Sequence, residues 1–165
     1  MAVLGSGNSN GGCSLLHAAG IGYGASLALD LPVKVRLLDK ESKRALDDPD
    51  GLLEQVLAAW KNAGHSVPDG ELYWSVRSEI PPRQGLKSSS AVAVAAIKAL
   101  CDATGIELEN ADIVDIAAAA QLSAGVSITG SYDDSWAALE GGWKLVNANA
   151  EDARSGLLLE SPGPP

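Results

Sequence analysis

Two stretches of this chain bring together residue types able to do chemistry. The first is Pro81-Pro82-Arg83-Gln84-Gly85-Leu86-Lys87-Ser88-Ser89-Ser90-Ala91. An alternating run stops at the proline pair, a glycine-bearing loop follows, and three serines lead directly into an apolar helix. Gly85 lets the backbone approach a ligand closely, and the unpaired N–H groups of a helix start attract anions. The macrodipole, the Lys87 charge and the hydroxyls add to that attraction, and a hydroxyl can also reach a metal ion. The plainer reading is a well-capped helix after a Pro-Pro turn, since serine is an ordinary N-cap. The second stretch is Gly125-Val126-Ser127-Ile128-Thr129-Gly130-Ser131-Tyr132-Asp133-Asp134. Its adjacent carboxylates could orient or deprotonate a hydroxyl nucleophile beside a phosphate donor. Alternatively they cap a short helix over 135–139.

Other motifs have weaker frames. The loop at Gly85 is not a Walker A loop, because no glycine stands five residues before it. Gly7-Asn8-Ser9-Asn10-Gly11 matches a G-x-S-x-G nucleophile elbow, with His65 a conceivable base, but the required strand, sharp turn and helix are not evident around it. Gly20-Ile21-Gly22-Tyr23-Gly24-Ala25 resembles a dinucleotide fingerprint, yet alternation follows where a helix should begin. His17 and His65 have no ligand-spaced partner. Cys13 and Cys101 form no metal-type cluster and read as buried small hydrophobes in a reducing compartment.

The elements that must position these residues follow from periodicity. Ser26 to Leu38 alternates apolar and polar residues and reads as a strand, with Pro32 favouring an edge or a bulge. Leu52, Leu53, Val56, Leu57 and Trp60 have helical spacing, and Asp48-Pro49 and Gly64 punctuate a helix over 49–63. Glu71 to Ile80 predicts a strand, Ser90 to Thr104 and Ala111 to Ala124 two apolar helices, and Trp143 to Asn147 a short strand. The Gly/Ser/Asn-rich run from Gly5 to Gly24 reads as an ordered loop or short helix. The order of elements is α+β.

Composition sets the outer limits. The chain has 165 residues, 46% hydrophobic and 20% charged, which suits a globular domain with a core. That core lacks phenylalanine and leans on alanine, so helices and backbone must approach closely. Twelve basic against 21 acidic residues give a net charge of −9, which argues against a nucleic-acid partner. The sequence shows neither a membrane-spanning apolar run nor a signal peptide, so the expectation is no membrane and a cytoplasmic location.

Ser78 to Ala91 resembles the ATP-binding motif of the small-molecule kinases of the GHMP superfamily, with Lys87 where the usual motif has a third glycine. The lysine and three serines are similar to the archaeal type of shikimate kinase. Ala124 to Asp134 also resembles that family, and Gly22 to Asp30 does so more loosely. The resemblance implies an N-terminal GHMP-kinase domain over residues 1–149, of the ribosomal protein S5 domain 2-like fold. Residues 150–165 would then be a truncated linker or the start of a missing ferredoxin-like C-terminal domain. It implies ATP and Mg²⁺, with transfer of the γ-phosphoryl to the 3-hydroxyl of shikimate on the route to chorismate and aromatic amino acids. Pro81, Pro82, Arg83, Gln84, Gly85, Leu86, Lys87, Ser88, Ser89, Ser90 and Ala91 would bind the nucleotide, Ser89 would contact Mg²⁺, and Asp133 or Asp134 would be the catalytic base.

The chain departs from the family at three points. His17 stands where members usually carry asparagine. Gln121 is the nearest polar residue to the metal-binding glutamate of many members, and amide oxygen is the weaker ligand. Members are also substantially longer. Three alternatives accompany the shikimate reading: another GHMP kinase such as homoserine kinase, an inactive remnant, or a chain whose second half comes from another polypeptide.

Overall fold

The computed structural model describes residues 2–82 and 84–162. A five-stranded antiparallel sheet forms from β1 (Val3–Leu16), β2 (Tyr23–Leu38), β3 (Tyr73–Ser78), β4 (Trp143–Asn147) and β5 (Leu157–Ser161). The long β2 lies in the middle. One side of it pairs with β1; on the other, its first half pairs with β4 and its second half with β3. β5 extends the sheet beyond β4. The helices are α1 (Ala18–Ile21), α2 (Leu52–Asn62), α3 (Ser88–Thr104), α4 (Asn110–Ser123), α5 (Tyr132–Glu140) and α6 (Ala153–Gly156). Helices α3 and α5 lie on the sheet, and α4 packs against α2, α3 and α5.

The glycine-rich start is a strand, not the loop or short helix that its composition suggests. Gly5, Gly7, Ser9 and Gly11 alternate on its buried side. A Cβ added to Gly5 would collide with the Ala99 carbonyl oxygen, and one on Gly7 with that of Ala95. Ser9 Oγ donates to the Ala91 carbonyl. The alanine row of α3 at positions 91, 95, 99 and 103 thus meets strand backbone directly. Strand propensity disfavours glycine, so the signal here is period-two smallness rather than period-two hydrophobicity.

β2 follows its alternation, with Val33, Val35 and Leu37 wholly buried against the helices. Pro32 lies in the central strand, not on an edge, and the pairing with β1 is irregular between Asn10 and Gly12. Helix α2 begins three residues later than its punctuation suggests: Gly51 takes the cap position, and the Asp48 carboxylate accepts from the N–H groups of Leu52 and Leu53 at 2.9 and 3.0 Å. Trp60 is buried and donates through Nε1 to the Ser66 carbonyl at 2.7 Å, with the His65 ring 4.7 Å away. His65 is thereby a packing partner. Cys13 and Cys101 are free thiols and half-buried rather than buried. Burial pushes the Cys101 thiol pKa up.

Residues 150–162 form α6 and β5. The Ala153 N–H donates to Asp115 Oδ1 at 2.8 Å, and its carbonyl accepts from Trp136 Nε1 at 3.2 Å. Among the described residues no helix is long and apolar enough to cross a membrane.

Gly7→Ala should cost about 2–4 kcal/mol of stability, because the backbone of α3 must retreat to admit the methyl group. Gly20→Ala, where a Cβ meets nothing within 4 Å, should change stability by less than about 0.5 kcal/mol. Urea unfolding of both variants against the parent chain measures the contrast.

Candidate functional site

Two helix starts converge on one cleft. The loop ending at Lys87 delivers the first turn of α3, and the loop 125–131 delivers the first turn of α5. Lys87 (φ +60°) and Ser131 (φ +56°) occupy the two N-cap positions, and among the described residues they alone, apart from glycines, have positive φ. An N-cap ordinarily has extended backbone. The left-handed region costs a residue with a Cβ about 1–2 kcal/mol, so both turns are held by their surroundings.

Gln121 supplies much of that hold. It is fully buried on α4, and its Oε1 accepts from Ser90 Oγ at 2.7 Å. Its Nε2 lies within reach of the Ala117 carbonyl, the Gly130 carbonyl and Ser135 Oγ at 3.2, 3.4 and 3.1 Å. One amide therefore joins α3, α4, α5 and the intervening loop. With these bonds made, no solvent access and no place in the cleft lining, Gln121 is a structural tie.

The cleft has a volume of about 440 Å³. Pro81, Gln84, Gly85, Leu86, Lys87, Ser88 and Ser89 line it from the loop side; Asp133 and Asp134 line it from α5. Ser14, His17 and the loop residues 125–129 complete its wall. The N–H groups of Ser88, Ser89 and Ser90 have no acceptor within the helix, whereas that of Ala91 donates to the Lys87 carbonyl. The Ser90 and Ala91 side chains are buried away from the cleft, and Pro82 does not line it. Arg83 lies outside the described residues.

The carboxylates belong to the first turn of α5 and do not cap a helix beginning at 135. Each is 5% exposed. Lys87 Nζ, expected to add its charge to an anion cradle, sits 3.1 Å from Asp134 Oδ2. Ser26, on β2, approaches both acids: its Oγ is 2.7 Å from Asp133 Oδ2 and also hydrogen-bonds Asp134 Oδ1. Gly24, two residues earlier, leaves the space for Asp133, since a Cβ there would be 2.9 Å from the carboxyl carbon. Burial, reinforced by the Asp134 charge, pushes the Asp133 pKa above the usual carboxylate range. The His17 side chain caps α1, accepting from the Ala19 N–H at 3.4 Å. Ser26 falls in the polar phase of the β2 alternation, with Asp30, Lys34 and Arg36, so no local sequence signal marks it as buried or functional.

A phosphate-sized anion placed at the α3 start would meet free N–H groups and the Ser88 and Ser89 hydroxyls, with a protonatable carboxyl across the cleft. Among the described residues no three acidic, histidine or cysteine side chains form a metal cluster. Ser88 and Ser89 offer hydroxyl oxygens beside the anion position, a donor set that suits a hard cation keeping phosphate and water as its other ligands.

Fold and site together define an α+β domain in which the unpaired N–H groups of a loop-to-helix turn face a buried carboxylate pair. Residues 51–142 match the family model described as the GHMP kinases N terminal domain, and the chain belongs to that family. It is 34% identical over 134 residues to a shikimate kinase of Methanothrix thermoacetophila, covering 80% of this chain and 46% of that one. With a shikimate kinase of Thermoplasma acidophilum it shares 30% over 158 residues, covering 93% and 54%. The chain thus spans about half the length of the curated relatives it matches. Solved structures share the fold: mevalonate kinase of Methanococcus jannaschii has a TM-score of 0.71 at 15% identity, covering 88% of this chain and 54% of that one. Lactococcus lactis galactokinase has 0.68 at 16%, covering 88% and 45%.

The raised Asp133 pKa has a consequence for stability. The folded state holds this proton more tightly than the unfolded chain does, so its stabilising contribution is full at low pH. It is lost as pH rises from the ordinary carboxylate range through the raised value. Asp133→Asn should therefore raise the melting temperature near about pH 8, with the gain shrinking toward about pH 4. Thermal unfolding followed by circular dichroism across that range checks the sign; a constant difference would refute it.

Proposed function

We propose that this chain is the nucleotide-binding and base-bearing half of an ATP-dependent shikimate kinase, acting in the cytoplasm on the route to chorismate and aromatic amino acids. One observation carries the reading: the α3 cradle and Asp133 open onto the same cleft, as phosphoryl transfer to an alcohol requires. The choice of shikimate rests on the relatives bearing that name.

In this reading the N–H groups of Ser88, Ser89 and Ser90 hold the ATP phosphates, with Gly85 letting the loop backbone come close. Pro81, Gln84 and Leu86 shape the cleft beside them. Ser89 would hold Mg²⁺, which when bound would supply charge neutralisation for the transferred group. Asp133 accepts the proton of the shikimate 3-hydroxyl as that oxygen attacks the γ-phosphorus; ADP leaves and shikimate 3-phosphate forms. Because its pKa is raised, Asp133 is a stronger base than an exposed carboxylate. Lys87 balances the charge of Asp134, so the anionic phosphates face one net carboxylate rather than two. The remaining wall of the cleft would come from the portion that the longer relatives carry, in the same polypeptide or a second one.

Coupled-enzyme turnover with Mg²⁺·ATP and a panel of shikimate and homoserine tests the reading, alongside calorimetric ATP titration of the chain. Turnover with shikimate is expected, and Asp133→Asn should lower it by about 10²–10⁴-fold while ATP affinity changes little. Turnover with homoserine alone would overturn the substrate. Equal rates for parent and variant would overturn the role of Asp133.

A further inference from the structure

The contact between Ser26 and the two acids has a requirement of its own. A serine hydroxyl carries one proton. Its oxygen is within hydrogen-bond distance of carboxyl oxygens on both Asp133 and Asp134. With both acids ionised, one of these contacts would be two oxygens facing each other without a hydrogen. Ser26 is wholly buried and each acid nearly so, so water does not screen that repulsion. One further proton removes it.

We propose that Ser26 is a positioning residue that makes Asp133 and Asp134 hold one proton between them in the absence of ligand. The surrounding charges set its place. Lys87 Nζ pairs with Asp134, which keeps that carboxylate as the anion. The proton then sits on Asp133, which donates to Ser26 Oγ, and Ser26 donates to Asp134. On β4, Lys144 is the register partner of Ser26, but its ammonium is engaged by Glu140 and Glu160. His17 lines the same cleft from the α1 cap, hydrogen-bonded to the Ala19 N–H.

Turnover requires the opposite state. Once Asp133 gives up its proton, the Ser26 hydroxyl turns and donates to it, holding the carboxylate for the incoming alcohol. Loss of the hydroxyl removes the contact that the extra proton relieves, so ionisation of Asp133 should become easier, with burial and the Asp134 charge alone still holding its pKa up. The bridge depends on geometry alone; its effect on turnover rests on the reading of Asp133 as base.

The test is carboxyl ¹³C NMR titration of the chain labelled at aspartate, with Asp133→Asn and Asp134→Asn assigning the signals. The parent should show one carboxyl of the pair titrating above the ordinary range. In Ser26→Ala that step should move to lower pH, while Ser26→Thr, which keeps the hydroxyl, should leave it near the parent position. If Ser26→Ala does not fold, Ser26→Cys, whose thiol is a weak donor, should show the same downward movement. Ordinary titration of both acids in the parent, or an unmoved or upward-moving step on loss of the hydroxyl, overturns the bridge. In pH profiles of kcat/KM the acid limb of Ser26→Ala should shift to lower pH. Absence of phosphoryl transfer in the parent would refute the kinase reading, whereas the bridge would still stand or fall on the NMR titration.

Discussion

The small-residue face of β1 lets α3 settle against the sheet with almost no side chain between the two backbones. Gly5 and Gly7 make room for the carbonyls of Ala99 and Ala95, and Ser9 pins the first turns through the Ala91 carbonyl. Side chains of ordinary size would hold a helix about 10 Å from a sheet. Bringing α3 nearer lowers its N-terminus toward β2, where Ser26 and the α5 acids wait. The fold therefore spends its least hydrophobic strand on its most demanding contact, and dispersion between closely matched small groups takes the place of large apolar burial.

A second tie operates at right angles to the first. Gln121 links the start of α3 to the start of α5 through one buried amide, and in doing so fixes Gly130 in the intervening loop. The two helix starts cannot drift apart without leaving polar groups unpaired in the interior, which costs more than the bonds themselves return. Lys87 closes the same gap from the solvent side through Asp134. The cleft is thus braced below by a neutral amide and at its mouth by an ion pair.

Much of this was legible from residue patterns. The alternation of β2, the spacing of α2 and the apolar stretches of α3 and α4 mark elements whose ends shift by three residues or fewer. The loop before Ser88 and the acid pair stand out because helix starts and carboxylates have local chemical meaning, and the fold brings them to one cleft. β1 was illegible because glycine weakens the strand signal and the reason for it, the carbonyl of a helix about 90 residues away, is non-local. Ser26 and the spent amide of Gln121 were hidden for the same reason. Their meaning lies in partners that only the folded chain supplies. The last strand, β5, is short and follows directly on the single-turn helix α6, so nothing local distinguishes it from a tail.

The left-handed backbone at Lys87 and Ser131 bears on how this protein would respond to engineering. A search for thermostable variants would favour glycine at both positions, since glycine accepts that conformation without penalty. At position 87 the same change would delete the cation opposite Asp134. Selection for heat resistance and selection for an intact cleft therefore pull this residue in opposite directions. A library screened on stability alone would drift toward a sturdier domain that has lost its charge balance.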